Sequence, residues 1–246
     1  MNIIALDTAT EILSVGLLVN NKEKIKNSKA QRYYLEVNGG QKHSEAVMDA
    51  SDSLFRLASF DKKKLDAVAC MEGPGSFTGL RIGFAAAKGL AFALGIPIIP
   101  IPTLDCMAFP FSHWPGMVLP LIDAKKKAYF TALYGQGKAL TSFLDIGLDD
   151  LIKIIKETCI MLNKNPSFPA LFLTGPAAPL ALKGLSEVFP DTVSDCNSER
   201  GYASEILLFA SKNDTLLHRK DYYEAGPLYI RKSDAELSEN MEKHNG

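Results

Sequence analysis

MEGPGSFTGLRIGFAAAKGLAFALG, residues 71–95, decides how the rest of the chain is read. A glycine- and proline-rich turn leads into a long apolar segment that carries only two charges, Arg81 and Lys88. As a nucleotide loop the turn is weak. It lacks the Gly-Lys-Ser/Thr ending of a Walker loop, and its third glycine comes one residue late for a Gly-x-Gly-x-x-Gly fingerprint. Pro74 also removes a backbone donor that a phosphate cradle would use. Ser76 or Thr78 can cap a helix, so the turn reads as a strand-to-helix connection.

The helix behind it carries the stronger signal. Gly79, Gly83, Ala87 and Ala91 recur every four residues as a stripe of small side chains, widened by Ala85, Ala86, Gly89 and Ala93. Such a stripe lets a second helix approach closely. Leu80, Ile82, Phe84, Leu90, Phe92 and Leu94 cover most of the remaining circumference. A helix apolar nearly all round is expected to be buried all round, with one face on a sheet and another against a partner or second lobe. Its interior glycines cost roughly 1 kcal/mol each relative to alanine, which close packing has to offset. An ordinary central core helix satisfies the same spacing.

Working outward, residues 66–71 read as the strand before this helix and 96–101 as the strand after it. Residues 2–8 and 12–19 are Ile-, Leu- and Val-rich runs separated by a polar turn, which predicts a hairpin. A third extended run covers 32–37. From 43 to 59 the apolar positions Ala46, Val47, Ala50, Leu54, Leu57 and Ala58 fall at helical spacing. Three strands, helix, strand, helix, strand describes a mixed-sheet α/β lobe of ribonuclease-H type.

The stretch 96–117 holds five prolines and marks a boundary, after which the pattern starts again. Residues 117–123 form a strand ending in Asp123, as 2–8 end at Asp7, and 128–134 return as a second strand. A helix near 149–162, a strand over 170–174, a Gly-Pro turn and a helix over 177–188 complete a second, similar lobe. The predicted organisation is a first lobe at 1–102 and a second at 103–200. A final region, 201–246, holds an amphipathic helix at 201–217 that packs back toward the first lobe, then a polar tail.

Composition excludes several classes. Lys and Arg number 27 against 28 Asp and Glu, so the net charge is −1 and nothing draws the chain globally to nucleic acid or an anionic membrane. The lysine runs at 62–64 and 125–127 read as solvated loops that could each touch a phosphate. Cys70, Cys106, Cys159 and Cys196 show no Cys-x-x-Cys spacing and read as free thiols of a reducing compartment. The N-terminus has no basic region before Asp7, so no signal peptide is expected. Arg81 and Lys88 interrupt the longest apolar run, so no membrane span is expected either. The expectation is a soluble cytoplasmic protein.

Two groups of residues could carry chemistry. Asp7 and Thr8 at a strand end, with Asp123 across a cleft, could hold Mg²⁺ and phosphate oxygens, although an aspartate capping its own turn has the same appearance. Lys125, Lys126 and Lys127 put a bulky basic turn where a phosphate needs a small one. His43 opens a helix, but a helical metal pair needs a second ligand at i+3 or i+4, where Ala46 and Val47 stand. No metal site is expected.

IIALDTAT at the start, HSEAVMDAS at 43–51, GPGSFTGLRIGFAAAKGLAFALGIPIIPIPTLD, IDAKKKAYFTALY and PLYIR at 227–231 together resemble the TsaB (YeaZ) family. The motifs follow family order over most of the chain, while 136–169 aligns little. The resemblance implies two lobes of the actin-like ATPase (ASKHA) fold. It implies a non-catalytic subunit of tRNA threonylcarbamoyladenosine synthesis that pairs with the transferase TsaD through first-lobe helices and is joined by the ATPase TsaE. TsaC supplies the threonylcarbamoyl-adenylate donor. The same surface can form a homodimer.

On this reading the partner interface falls on His43, Val47, Ser76, Gly79, Leu80, Gly83 and Ala87. Asp7, Thr8 and Asp123 line a vestigial nucleotide cleft. The chain itself requires no cofactor or metal, ATP or ADP with Mg²⁺ belongs to the assembled complex, and tRNA is met through that complex only. TsaD-like proteins carry two metal-binding histidines on one helix, where this chain has His43 and Val47. The adenosine turn of the fold is reduced to Leu173-Thr174-Gly175-Pro176-Ala177. Two enzyme readings compete: a Mg²⁺-ATP phosphotransferase or ATPase using Asp7 and Asp123, and a glycopeptidase-like hydrolase.

Overall fold

The computed structural model describes residues 1–20, 30–39, 43–162, 170–212 and 225–230. Runs of Ile, Leu and Val build β1 (Ile3–Asp7) and β2 (Leu13–Val19), in which every residue is buried. They pair antiparallel with Asp7 opposite Ser14. β3 (Gln31–Val37) adds antiparallel to β2 as a largely exposed edge. On the other side β4 (Ala67–Gly73) and β5 (Ile98–Pro102) join parallel, giving the order β3-β2-β1-β4-β5. Helices α1 (His43–Leu57) and α2 (Phe77–Leu94) cover one face, packing Val47, Leu54, Phe84, Ala87 and Leu90 on Ile4, Leu6, Val15 and Val68.

After the short helix α3 (Thr103–Ala108) the plan repeats. The second sheet is built from β6 (Met117–Asp123), β7 (Ala128–Thr131), the small hairpin β8 (Tyr134–Gly135) and β9 (Lys138–Ala139), and β10 (Leu144–Gly147). Helix α4 (Leu148–Met161), β11 (Leu171–Thr174), α5 (Ala178–Val188) and β12 (Thr192–Ser194) follow. Its main order, β10-β7-β6-β11-β12, reproduces the first sheet position for position and direction for direction. This is the ribonuclease-H-like duplication expected of an actin-like fold.

The two halves exchange helices. α3 leaves the first sheet and packs on β6, while α6 (Ala203–Lys212) leaves the second and packs on β1 and β2. Between the sheets lies a shared core of Ile3, Ala69 and Ile101 with Leu104, Met107, Val118, Ile122, Ile206 and Leu207.

Some local expectations change. The run 128–134 is not one strand: β7 stops at Thr131, and Leu133 turns its backbone to the Thr141 hydroxyl (3.1 Å) and the Leu140 amide (2.7 Å) before β8 resumes on β6. α3, β10 and β12 are too short to leave a periodicity. The helix expected over 201–217 begins at Ala203, and its predicted end past Lys212 falls outside the described residues, as does the polar tail from Ala235 onward. α2 is long and apolar enough to cross a membrane by length and composition, yet Phe84, Ala87, Leu90 and Ala91 pack into the first-sheet core. Cys70, Cys106 and Cys159 are buried and Cys196 is exposed, and none of the four is in a disulfide among the described residues.

Candidate functional site

Asp7 stands at the C-terminal end of β1, where a ligand of this fold would be expected. Its side chain is fully buried. One oxygen accepts the Ala9 N–H at 3.0 Å and the other the Tyr202 N–H at 2.8 Å. Opposite it, the Ser14 hydroxyl accepts the Ala203 N–H at 2.9 Å. The hairpin therefore caps the free amides at the start of α6 from another part of the chain, a role usually filled by a residue next to the helix. Burial pushes the Asp7 carboxyl up to about 6, although both N–H donors work against it.

The next residue closes the strand end from the other side. Thr8 is buried and donates its hydroxyl to the Gly79 carbonyl at 2.7 Å. Ser76 donates its amide to the Ala9 carbonyl at 2.8 Å, and a side chain at Gly75 would come within 2.7 Å of the same oxygen. A Cβ on Gly79 would strike the Thr8 carbonyl, and one on Gly83 the Thr8 hydroxyl. The small stripe of α2 is thus fitted to the β1–β2 turn of its own chain.

The residues expected at the partner face can be placed in the chain. His43, Val47, Gly79, Leu80, Gly83 and Ala87 are all buried within the chain, and only Ser76 is exposed, as the α2 cap on the Gly79 amide. The physical reason is that α2 carries two small stripes at four-residue spacing. The inner one meets the sheet. The outer one, Ala85, Gly89 and Ala93, is exposed beside Phe92, which is 79% exposed. Among the described residues, nothing beyond its chain neighbours and its own helix backbone lies within 4 Å of where a Gly89 Cβ would stand. Met48, on the exposed side of the neighbouring α1, is 39% exposed.

His43 is nearly buried, its ring Nε2 has no hydrogen-bond partner among the described residues, and desolvation lowers its pKa against a bond to the Glu11 backbone. The imidazole is therefore neutral near pH 7. Four residues on, Val47 belongs to the apolar core.

Asp123 ends β6 as Asp7 ends β1, but it is partly exposed. It accepts the Lys125 amide at 2.7 Å and the Lys125 ammonium at 2.9 Å. Slight burial raises its pKa, and the Lys125 bonds outweigh that and hold it below the usual range. Lys125, Lys126 and Lys127 all adopt left-handed φ values of 62°, 54° and 61°. The reduced glycine turn at 173–177 is also committed internally, since Ala177 donates its amide to the Leu121 carbonyl at 3.0 Å.

Sequence reasoning missed the α6 clasp and its neighbours. Arg200 reaches Asp195 at 3.3 Å and Glu205 at 3.1 Å, tying the end of β12 to α6. Asp7 and Tyr202 are 195 residues apart, and no local spacing signals the pair.

Residues 26–178 match the family model of TsaD, tRNA N6-adenosine threonylcarbamoyltransferase. The chain is 31% identical over 163 residues to the tRNA threonylcarbamoyladenosine biosynthesis protein TsaB of Bacillus subtilis, covering 64% of this chain and 67% of that protein. Identity to the protein of the same description from Haemophilus influenzae is 36% over 135 residues, 53% of each chain. For Escherichia coli TsaB it is 32% over 136 residues, covering 54% of this chain and 55% of that protein. The chain thus spans about two thirds of the first relative and about half of the other two. The solved structure of YeaZ from Pseudomonas aeruginosa superposes with a TM-score of 0.68 at 24% identity, covering 93% of this chain and 99% of that one, and so shares the fold. With the family model and these relatives in agreement, the chain belongs to the TsaB (YeaZ) family, within the wider family that the TsaD model describes.

Proposed function

We propose that this chain is a non-catalytic partner subunit of the complex that transfers threonylcarbamoyl to the adenosine beside the anticodon, in tRNAs reading codons that begin with A. The observation that carries the reading is Asp7, whose two oxygens are committed to the Ala9 and Tyr202 amides in a fully buried setting. A carboxylate held this way cannot reach a metal or a phosphate without dismantling the start of α6. Asp123 is neutralised by Lys125, and the His43 ring is buried against a helix whose next turn is core.

The partner surface is the outer face of α1 and α2, with Met48, Ala85, Gly89 and Phe92 at its centre. Small residues there let a helix pair of TsaD approach closely, and the exposed Phe92 ring supplies an apolar anchor. TsaE joins that pair, ATP or ADP with Mg²⁺ belongs to the assembly, and tRNA is contacted through it. Without TsaD the same face pairs two copies of this chain. The lobes at 1–102 and 103–200 divide the work, the first meeting the partner.

Incorporation of labelled threonine into unmodified tRNA by purified TsaC, TsaD and TsaE, with and without this chain, tests the reading. Incorporation is expected to require the chain, to survive Asp7→Asn in folded protein, and to fail with Gly89→Leu. Phe92→Asp is expected to weaken TsaD binding at least about tenfold in calorimetry. ATP turnover by the lone chain that disappears in Asp7→Asn would favour the phosphotransferase reading.

A further inference from the structure

Between α3, the β8–β9 hairpin and α6 lies a cavity of about 270 Å³ that plays no part in the strand-end site or the α1–α2 face. Ala108, Val118 and Ala139 give it apolar walls, and Phe109 and Phe209 meet edge to face beside it with centroids 5.3 Å apart. Its one charged side chain among the described residues is Asp105, with Ser112 also on the lining. One Asp105 oxygen accepts the hydroxyl of the almost fully buried Tyr134 at 2.5 Å. Among the described residues no side chain or backbone amide donates to its other oxygen, and no lysine or arginine pairs with it.

This combination selects by charge. An apolar guest would leave a carboxylate stripped of water and still unpaired, which is costly, and an anion would be repelled. An ammonium or guanidinium supplies the missing donor, gains from the aromatic faces, and lays its methylene stem along the alanine and valine walls. The Lys212 ammonium already stands 5.2 Å from the centroid of the Phe109 ring, so this wall tolerates a cation. Desolvation raises the Asp105 carboxyl above its ordinary value against the Tyr134 hydrogen bond, and a bound cation would favour the ionised form that burial penalises. The volume lies at the small end of ligand pockets, enough for one side chain or a small amine and too little for a nucleotide.

We propose that this cavity binds an ammonium or guanidinium group on an aliphatic stem, with Asp105 as the counter-ion and Phe109 and Phe209 as the walls. The group belongs to a free small amine or to a lysine or arginine side chain of a partner protein.

Titration of the full chain with n-pentylamine, agmatine and the neutral n-pentanol, followed by calorimetry and ligand-observed NMR, tests this. The two cations are expected to bind at least about tenfold more tightly than the alcohol. Asp105→Asn keeps an acceptor for Tyr134 and is expected to erase that preference. Ala139→Phe, on the exposed hairpin strand, is expected to plug the cavity and abolish binding of all three. Tighter binding of a Gly-Gly-Arg-Gly-Gly peptide than of agmatine assigns the site to a protein side chain, and the reverse assigns it to a free amine. Equal binding of amine and alcohol, no binding of either cation, or cation binding indifferent to both variants overturns the proposal. So does cation binding that appears only in Lys212→Met, which would give the carboxylate to this chain's own lysine.

Discussion

Asp7 and Asp123 end equivalent strands of two sheets with the same order, yet their surroundings are opposite. Asp7 is sealed between α6, which arrives from the second half, and the glycine-lined start of α2. Asp123 faces solvent and is balanced by the lysine that follows it. Strand order places a carboxylate at the mouth of each lobe, and its chemistry depends on what the rest of the chain lays over it. In the first lobe that cover is backbone, packed so closely that the strand end serves as structure. In the second it is an exposed, charged turn.

The difference is sharpest in the helix that follows the fourth strand of each sheet. A methyl on Gly79 in α2 meets the Thr8 backbone, which cannot move without displacing β1. A methyl on Gly184 in α5 meets first the Leu148 side chain, whose end can change rotamer. Gly79→Ala is therefore expected to cost more than about 3 kcal/mol or prevent folding, and Gly184→Ala less than about 1 kcal/mol. Urea unfolding of the two variants measures the gap. Comparable losses would mean that α2 is as adjustable as α5.

Acid separates the two carboxylates by sign. Asp7 titrates near 3.8 in the unfolded chain and about 6 in the fold, so the folded state holds its proton more tightly. Its contribution to stability is complete below the unfolded value and is lost as pH rises through the folded one. By neutral pH the loss is about 3 kcal/mol. Relative to Asp7→Asn, which does not titrate, the wild type is expected to gain about that much between about pH 7 and about pH 4. Asp123 is shifted the other way, so its small contribution is present at neutral pH and lost on acidification. Denaturant midpoints of the wild type, Asp7→Asn and Asp123→Asn across that range check both signs. An Asp7→Asn curve parallel to the wild type would show the carboxyl to be solvated.

The clasp on α6 is the next effect in size. Ser14→Ala leaves the Ala203 amide without its acceptor, which should cost about 1 kcal/mol, as loss of an N-cap does. Amide exchange at Ala203 should accelerate in step. Unchanged exchange would place the hold on α6 in its apolar face alone.

Much of this architecture is legible in the sequence because the strands are short unbroken runs of buried Ile, Leu and Val, and because the second half restarts with the same strand–Asp–turn. The face of α2 was not legible. Gly79 and Gly83 share their spacing with Ala85, Gly89 and Ala93, and periodicity shows that two stripes exist without saying which one the sheet takes. The contact that decides Asp7 comes from Tyr202, beyond any local window. Arg200, Asp195 and Glu205 escaped notice for the same reason. Their pairing depends on how β12 leads into α6, and charges at loop spacing look like any solvated surface.

The turns themselves offer the finest distinction, because one substitution should act with opposite sign in each. Lys127 sits at φ 61° as the third successive left-handed residue, a conformation that costs an L-residue about 1 kcal/mol or more. Glycine adopts it freely, so Lys127→Gly is expected to stabilise by about 0.5 kcal/mol once the greater freedom of the unfolded chain is subtracted. In the first turn, among the described residues, none from Thr8 to Ile12 has a positive φ, and the Ala9 methyl is buried in the shared core. Ala9→Gly there relieves nothing and loosens the unfolded chain, so it should cost about 1 kcal/mol. For a chain of this size the pair should move the melting temperature in opposite directions by roughly 1–4 °C, within reach of calorimetry. A rise with both variants would show that the first turn is strained as well, and a fall with both would show that the lysine turn gains enough from its contacts to outweigh its backbone strain.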